Sequence, residues 1–112
     1  MKIYHNPRCS KSRQGLELLT NSNQAFEVVR YLDQPLSHSE LKEIIAMLGI
    51  RPIDLVRKTE AIWKSEYKGK VLDDEAVINA MVNNPKLIER PIVVNNGKAV
   101  IGRPPEMIKS LL

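Results

Sequence analysis

The chain has 112 residues, of which 43% are hydrophobic and 27% are charged, and its net charge is +4 at pH 7. That length predicts a single domain over residues 1–112, which buries about two thirds of the surface exposed by the unfolded chain. The composition excludes collagen, long coiled coils and intrinsic disorder, and the 4% share of aromatic residues means that aliphatic side chains fill the core.

The sequence also argues against membrane and nucleic-acid binding. No apolar run approaches the roughly 18 residues that a membrane span needs, and the N-terminus lacks the apolar stretch of a secretory signal, so we expect a cytoplasmic protein. Basic residues are spread along the chain without interleaved aromatic side chains, which argues against a nucleic-acid partner. Cys9 is the only cysteine, and His5 and His38 are the only histidines, so we expect neither an internal disulfide nor a metal site.

The first third of the chain predicts a strand, a helix and a second strand. Residues 2–4 form a short strand candidate that ends at Asn6-Pro7, and residues 12–19 place leucines on one helical face. Residues 26–31 combine aromatic and β-branched side chains, which is a strand composition. This order predicts a parallel βαβ unit.

Two helices are predicted in the middle of the chain. Ser37 and Glu40 form a capping box, and Gly49 suits the position after the helix end. Asp73 has the features of a second N-cap, because two acidic residues follow it in the first turn. We expect this second helix to run to about Asn83, where a following Asn-Pro stops it.

The last third predicts a β-hairpin followed by a helix. Residues 91–94 and 98–101 have strand composition, and we expect a three-residue turn at 95–97, where Asn-Gly supplies the positive φ angles of tight turns. Pro104 opens the final helix. Its apolar residues are expected on one side: Met107, Ile108, Leu111 and Leu112.

Cys9 lies where the first strand passes into the first helix. Its sulfur is expected over the free N–H groups of the first helical turn, which lower the pKa of the thiol and favour the thiolate. The Ser12 hydroxyl can add a hydrogen bond, and Arg8, Lys11 and Arg13 add positive field. A lone cytosolic cysteine is commonly a small buried hydrophobe, but polar and cationic residues on both sides make a poor core segment and favour a reactive thiol.

Three arginines are candidates for binding an anion beside this thiolate. Guanidinium groups stay protonated and offer paired donors that match a tetrahedral oxyanion. Arg57 follows a short apolar segment, whereas Arg90 and Arg103 flank the predicted hairpin and should emerge at the same end of the sheet. Each arginine alone is commonly a solvated salt-bridge residue. His5 either holds the cysteine loop or supports the thiolate, and His38 is assigned no role.

Four segments together closely resemble the glutathione/glutaredoxin-coupled arsenate reductases: residues 5–13, 55–58, 89–94 and 102–106. These motifs occur in order across nearly the whole chain. The resemblance implies an α/β, thioredoxin-like (glutaredoxin-like) fold with a mixed sheet of about four strands. It also implies a helical insertion at roughly residues 37–86.

The resemblance further implies roles for individual residues. Cys9 corresponds to the nucleophile, and Arg57, Arg90 and Arg103 correspond to the arginines that bind the oxyanion. Pro91 falls where thioredoxin-like folds place a cis-proline facing the active site. The positions that support, tune or orient the cysteine are His5, Asn6, Ser12 and Arg13.

The implied reaction is the reduction of arsenate to arsenite, as in arsenic detoxification. The Cys9 thiolate attacks arsenate with loss of water, glutathione attacks the adduct, and glutaredoxin resolves the mixed disulfide. A single cysteine suffices because the resolving thiols come from outside. The resemblance thus implies glutathione as co-substrate and glutaredoxin as protein partner, with no metal and no tightly bound cofactor.

Two other functions stay open at this point. One is a regulatory interaction protein, similar to the small thioredoxin-fold regulators that dock on RNA polymerase. The other is a monothiol glutathione-dependent oxidoreductase with a different substrate. The arginine set favours an enzyme over a docking protein. The central region around residues 63–72 is shorter than in arsenic-operon members, which leaves the oxidised substrate open.

Overall fold

The computed structural model describes all 112 residues. It contains four strands, four α-helices and three short 3₁₀ helices. Met1–Gln34 and Arg90–Leu112 together form one compact unit, the sheet unit, and Pro35–Glu89 form a second, the helical unit. The predicted helical insertion, residues 37–86, falls within the helical unit, and the single domain over residues 1–112 stays a prediction.

A four-stranded mixed sheet forms the centre of the sheet unit, in the order β2-β1-β3-β4. β1 (Lys2–Tyr4) pairs in parallel with β2 (Glu27–Val29) and antiparallel with β3 (Ile92–Asn95). β3 also pairs antiparallel with β4 (Lys98–Ile101). The predicted βαβ start and the predicted hairpin are therefore confirmed, and the fold is thioredoxin-like.

β2 is shorter than the predicted strand over residues 26–31. The Arg30 carbonyl accepts the N–H groups of both Asp33 and Gln34 at 2.9 Å. Because these local bonds begin a turn, the chain leaves the sheet directly after Val29.

The hairpin turn is two residues long, so the prediction of three residues was wrong. Asn95 stays paired with Lys98, and only Asn96 and Gly97 form the loop, with φ angles of 51° and 76°. Two consecutive positive φ angles match the twist of the flanking strands. The Asn95 side-chain amide also donates to the Leu111 carbonyl at 2.8 Å, which favours keeping Asn95 in the strand.

The core of the sheet unit is aliphatic, as the composition predicts. α1 (Ser10–Asn21) packs against the 3₁₀ helix Pro105–Leu111, which also contacts β3 and β4. Burying each large aliphatic side chain contributes about 1.5–3 kcal/mol. The central cluster consists of the fully buried residues Ile3, Leu19, Val93 and Ile108.

The C-terminal segment is a 3₁₀ helix, and this geometry changes which residues face inward. Three residues per turn align Pro105, Ile108 and Leu111 on one face, where the first two are buried and Leu111 is half-buried. Met107 and Leu112 instead expose 49% and 44% of their surface. The prediction that they share the inner side was therefore wrong.

The helical unit contains α2 (His38–Leu48), α3 (Ala61–Glu66) and α4 (Asp74–Asn83). α2 packs against α4, and each buries an apolar face. The buried residues of α2 and α4 are Leu41, Ile44, Ile45, Val77, Ile78, Ala80 and Met81.

No helix of the chain combines the length and apolar character that crossing a membrane requires.

The side chains of the N-cap residues bind free N–H groups at the starts of α2 and α4, as predicted. Ser37 Oγ accepts the N–H of Glu40 at 3.2 Å, and the Glu40 carboxylate accepts the N–H of Ser37 at 3.2 Å, which completes the capping box. Asp73 Oδ1 accepts the N–H of Ala76 at 2.8 Å. Gly49 ends α2 with a φ of 69°, a left-handed conformation that glycine adopts at no steric cost.

Candidate active site

Asn6 holds the segment that joins β1 to α1. Its carbonyl accepts the N–H of Cys9 at 3.1 Å, and its Oδ1 accepts the N–H of Arg8 at 3.0 Å. Its own N–H donates to Ser12 Oγ at 3.0 Å. Because Asn6 is 5% exposed, these bonds are largely shielded from water, and they fix the turn that presents Cys9.

His5 and Ser12 form a buried pair in the same segment. His5 Nδ1 lies 2.7 Å from Ser12 Oγ. Burial, followed by the charge of Arg30, lowers the pKa of His5, although a hydrogen bond with the Ser12 backbone acts in the opposite direction. We expected the Ser12 hydroxyl to bind the cysteine sulfur. It bonds His5 and Asn6 instead, so Ser12 holds the loop through its side chain.

Cys9 precedes the first turn of α1 with an extended backbone, φ −96° and ψ 124°. Its neutral thiol makes no capping hydrogen bond, and the first turn of α1 contains no acidic residue. Burial raises the pKa of Cys9, but the N–H of Ser12, the Arg90 guanidinium and the N–H of Lys11 outweigh burial and lower the pKa below its ordinary value. The uncapped helix start therefore stabilises a thiolate.

Arg90 and Arg103 converge on Cys9 from the two ends of the hairpin, as predicted. Arg103 Nη1 donates to the Arg90 carbonyl at 3.1 Å and lies 3.7 Å from Cys9 Sγ. The Arg90 side chain also hydrogen-bonds the sulfur, and Arg90 is only 8% exposed. Pairing of Ile92 with Ile101 explains the convergence, because it brings the outer ends of β3 and β4 together.

Among the cations near the thiol, Arg90 supplies the main charge effect on its pKa. We expected positive field from Arg8, Lys11 and Arg13. Arg13 Nη1 instead donates to the Pro7 carbonyl at 3.0 Å, which ties α1 to the preceding loop. Lys11 acts on the sulfur through its backbone N–H, and the charge that lowers the pKa belongs to Arg90.

Pro91 lies in a tight space between α1 and the C-terminal segment. The peptide bond before Pro91 is cis, as the resemblance implies, and the bond before Pro104 is cis as well. A Cβ on Gly15 or Gly102 would approach Pro91 Cγ to 3.0 Å or 2.9 Å, so both glycines allow this close packing. Neither glycine was predicted, because a close approach of distant segments has no signature in a single sequence.

Arg57 lies in the helical unit, where two carboxylates bind its guanidinium. Arg57 Nε is 3.3 Å from Glu60 Oε1, and Arg57 Nη1 is 3.5 Å from Glu89 Oε1. The spacing of Glu60 is readable in the sequence, whereas Glu89 comes close because Val56 and Ile88 form a β-bridge. The oxyanion-binding role of Arg57 stays a prediction.

The sheet unit thus combines one sulfur nucleophile with hydrogen-bond donors and positive charge. Two backbone N–H groups and two guanidinium groups surround Cys9. Fixed cations of this kind offset the repulsion between a thiolate and an incoming tetrahedral oxyanion. No group of three or more His, Cys, Asp or Glu side chains is arranged to hold a metal ion.

Comparison with known proteins connects this site to a family. The profile of the ArsC family matches residues 4–111. The chain is 46% identical to a Neisseria meningitidis protein named arsenate reductase, over 100% of this chain and 97% of the relative, and 48% identical to the uncharacterized protein YfgD of Escherichia coli, over 100% and 96%. A solved structure of an arsenate reductase from Vibrio cholerae matches with a TM-score of 0.94 and 46% identity, covering 100% of this chain and 98% of that one.

Proposed function

Because the chain belongs to the ArsC family, we propose that it is a glutaredoxin-dependent arsenate reductase that uses glutathione as co-substrate. One observation carries the proposal: the Arg103 guanidinium lies 3.7 Å from the sulfur of Cys9, the only cysteine of the chain. Relatives named arsenate reductase support the assignment as an oxidoreductase.

In the first step the Cys9 thiolate attacks the arsenic atom of arsenate. A sulfur–arsenic bond forms, and one arsenate oxygen leaves as water after taking up two protons. The arsenic stays pentavalent in the resulting thiol-arsenate adduct. Arg90 and Arg103 neutralise the negative charge that this step concentrates beside the sulfur, and their hydrogen bonds to Cys9 place them there before the anion arrives.

In the second step a glutathione thiolate attacks the sulfur of Cys9. A disulfide bond forms, the sulfur–arsenic bond breaks, and its electron pair stays on arsenic, which becomes trivalent and leaves as arsenite. Glutaredoxin then reduces the mixed disulfide by thiol–disulfide exchange. The sum is arsenate and two thiols giving arsenite, one disulfide and water, with no metal or bound cofactor.

Arg57 is proposed as a third oxyanion-binding arginine because it lies in the second of the four matching motifs. Its guanidinium lies within ion-pair distance of Glu60 and Glu89. The reaction depends on a reducing thiol pool, which is a property of the cytoplasm, and we propose that location.

The test is arsenate-dependent NADPH oxidation with glutathione, glutaredoxin and glutathione reductase. We expect activity in the wild type and none in Cys9→Ser, because a serine hydroxyl is not ionised at neutral pH. Arg90→Ala and Arg103→Ala should each lose about tenfold or more, the usual effect of removing one group that stabilises an oxyanion.

The matched control is Arg51→Ala, which removes an exposed arginine of the helical unit that lies outside the four motifs. It should retain wild-type activity. Wild-type rates in both Arg90→Ala and Arg103→Ala would contradict the oxyanion site. Phosphate and sulfate added as competing anions, and selenate added as a second oxidant, test whether arsenate is the preferred oxyanion.

A further inference from the structure

Two cationic side chains beside Cys9 have no partner in the structure. Arg8 precedes the cysteine and is exposed, and only its backbone N–H is bonded, to Asn6. Lys11 is half-exposed and contacts the sulfur through its backbone N–H. Arg13 differs from both, because its guanidinium is bound to a backbone carbonyl. We call Arg8 and Lys11 the cationic rim.

The rim side chains make no hydrogen bond that holds the loop, and their charges are not among the main causes of the lowered pKa of Cys9. Asn6, Ser12 and Arg13 hold the loop with hydrogen bonds, and the charge that stabilises the thiolate comes from Arg90. Solvated cations one and two residues away from the sulfur act at a range comparable to the Debye length, which is about 8 Å at physiological ionic strength. Their field therefore acts on whatever approaches the sulfur from solvent.

We propose that the cationic rim selects the reductant by attracting thiols that carry carboxylates. This inference rests on the proposed function, in which a thiol must attack Cys9 while a negatively charged arsenate group is attached to it. Glutathione itself carries two carboxylates, so its approach is repelled by the adduct and attracted by the rim. Arg8 and Lys11 are thus specificity-determining residues for the second step, whereas Arg90 and Arg103 act on the first.

The test compares alkylation of Cys9 by iodoacetate and iodoacetamide. Both reagents form the same sulfur–carbon bond with loss of iodide, and they differ in that only iodoacetate carries a negative charge. The ratio of the two rates cancels any change in the thiolate fraction. In the double variant Arg8→Gln/Lys11→Gln we expect the ratio to fall about fourfold at about 0.01 M salt, since one unit charge at about 8 Å in water changes a rate about twofold.

The matched control is Lys98→Gln. Lys98 is exposed and pairs with Asn95 beside the hairpin turn, at the end of the sheet opposite to the end where β1 leads to Cys9. Its iodoacetate-to-iodoacetamide ratio should equal that of the wild type. At about 1 M salt, where the Debye length is about 3 Å, the wild type and the double variant should converge. An unchanged ratio in the double variant, or a difference that survives high salt, overturns the inference.

A second readout separates this inference from the proposed function. With arsenite formation as the readout, the double variant should raise the KM for glutathione several-fold relative to the KM for 2-mercaptoethanol, a neutral thiol. A reduced alkylation ratio in a protein that does not reduce arsenate shows that the rim attracts anionic reagents and overturns the proposed function. Arsenate reduction with an unchanged alkylation ratio and an unchanged thiol preference supports the proposed function and overturns the inference about the rim.

Discussion

The sheet unit and the helical unit begin their helices in different ways. In α2 and α4 the residue before the first turn is Ser37 or Asp73, whose side-chain oxygen binds a free N–H of that turn. In α1 the same position is Cys9, which makes no capping bond as a neutral thiol. The N–H groups of Lys11 and Ser12, which a capping oxygen would bind, instead lower the pKa of the Cys9 thiol.

The helix starts of the helical unit contribute to stability, whereas the start of α1 contributes to the reactivity of the thiol. A side-chain N-cap contributes about 1 kcal/mol to helix stability, and acidic residues in the first turn of α2 and α4 add to it. α1 has neither contribution. The same backbone donors that stabilise the helical unit stabilise a nucleophile in the sheet unit, in line with the trade-off between stability and activity at functional sites.

Replacing Cys9 by aspartate should have the largest effect, because it places a carboxylate at the start of α1. Cys9→Asp introduces a strong N-cap at α1, so we expect complete loss of arsenate reduction together with a gain of about 1 kcal/mol in the free energy of unfolding. Urea denaturation and the coupled assay measure the two quantities. A variant that is less stable than the wild type would show that the helix start is not free to accept a cap.

The glycines of the two units also differ in what they allow. Gly102→Ala places a Cβ 2.9 Å from Pro91 and 3.0 Å from Ile108, so we expect a loss of about 1–3 kcal/mol by overpacking beside the active site. Gly49→Ala is the control, since it meets no atom within 4 Å and is strained only by its φ of +69°. Denaturation should show a loss for both variants, and thiol reactivity should change only in Gly102→Ala. Unchanged thiol reactivity in Gly102→Ala would show that the packing around Pro91 does not affect the active site.

Removing the caps of the helical unit should have a smaller effect. Ser37→Ala and Asp73→Ala each delete a side-chain oxygen that binds an N–H of the first turn, and each should cost about 1 kcal/mol in denaturant unfolding. The pH dependence of Cys9 alkylation should follow that of the wild type. A shifted thiol titration in either variant would show that the two kinds of helix start are not independent.

The smallest expected effect is the contribution of His5 to the loss of folding stability at low pH. The pKa of His5 is lowered from 6.5 in the folded chain, so the unfolded chain binds a proton first as pH falls. Its contribution to stability is present above pH 6.5 and is lost as pH falls through the lowered pKa. In urea denaturation, the unfolding midpoint of His5→Gln should therefore decline less below pH 6.5 than that of the wild type. Identical declines in the two proteins would show that other groups cause the acid sensitivity.

Features set by neighbouring residues were predicted from the sequence. The caps at Ser37 and Asp73 follow from residues three positions apart, and the position of Cys9 follows from a strand that gives way to a helix. The meeting of Arg90 and Arg103 required only one further rule, that the ends of paired strands lie together.

Features set by contacts between distant residues were not predicted. The Ser12 hydroxyl has a choice of acceptors, and only the folded loop shows that His5 and Asn6 occupy it. The last segment is a 3₁₀ helix in which Ile108 packs into the core, and the periodicity of its apolar residues does not encode this geometry. The carboxylates around Arg57 likewise depend on a bridge between distant segments.

Whether the start of α1 holds a thiolate is tested by the pH dependence of Cys9 alkylation by iodoacetamide, measured on the folded protein and on the same protein unfolded in urea. Because the chain contains a single cysteine, the rate reports one thiol, and the unfolded chain supplies its own reference. Donation from Ser12, Lys11 and Arg90 predicts a lower midpoint in the folded protein. A folded-state midpoint equal to or above that of the unfolded chain would contradict the claim that this helix start holds a thiolate.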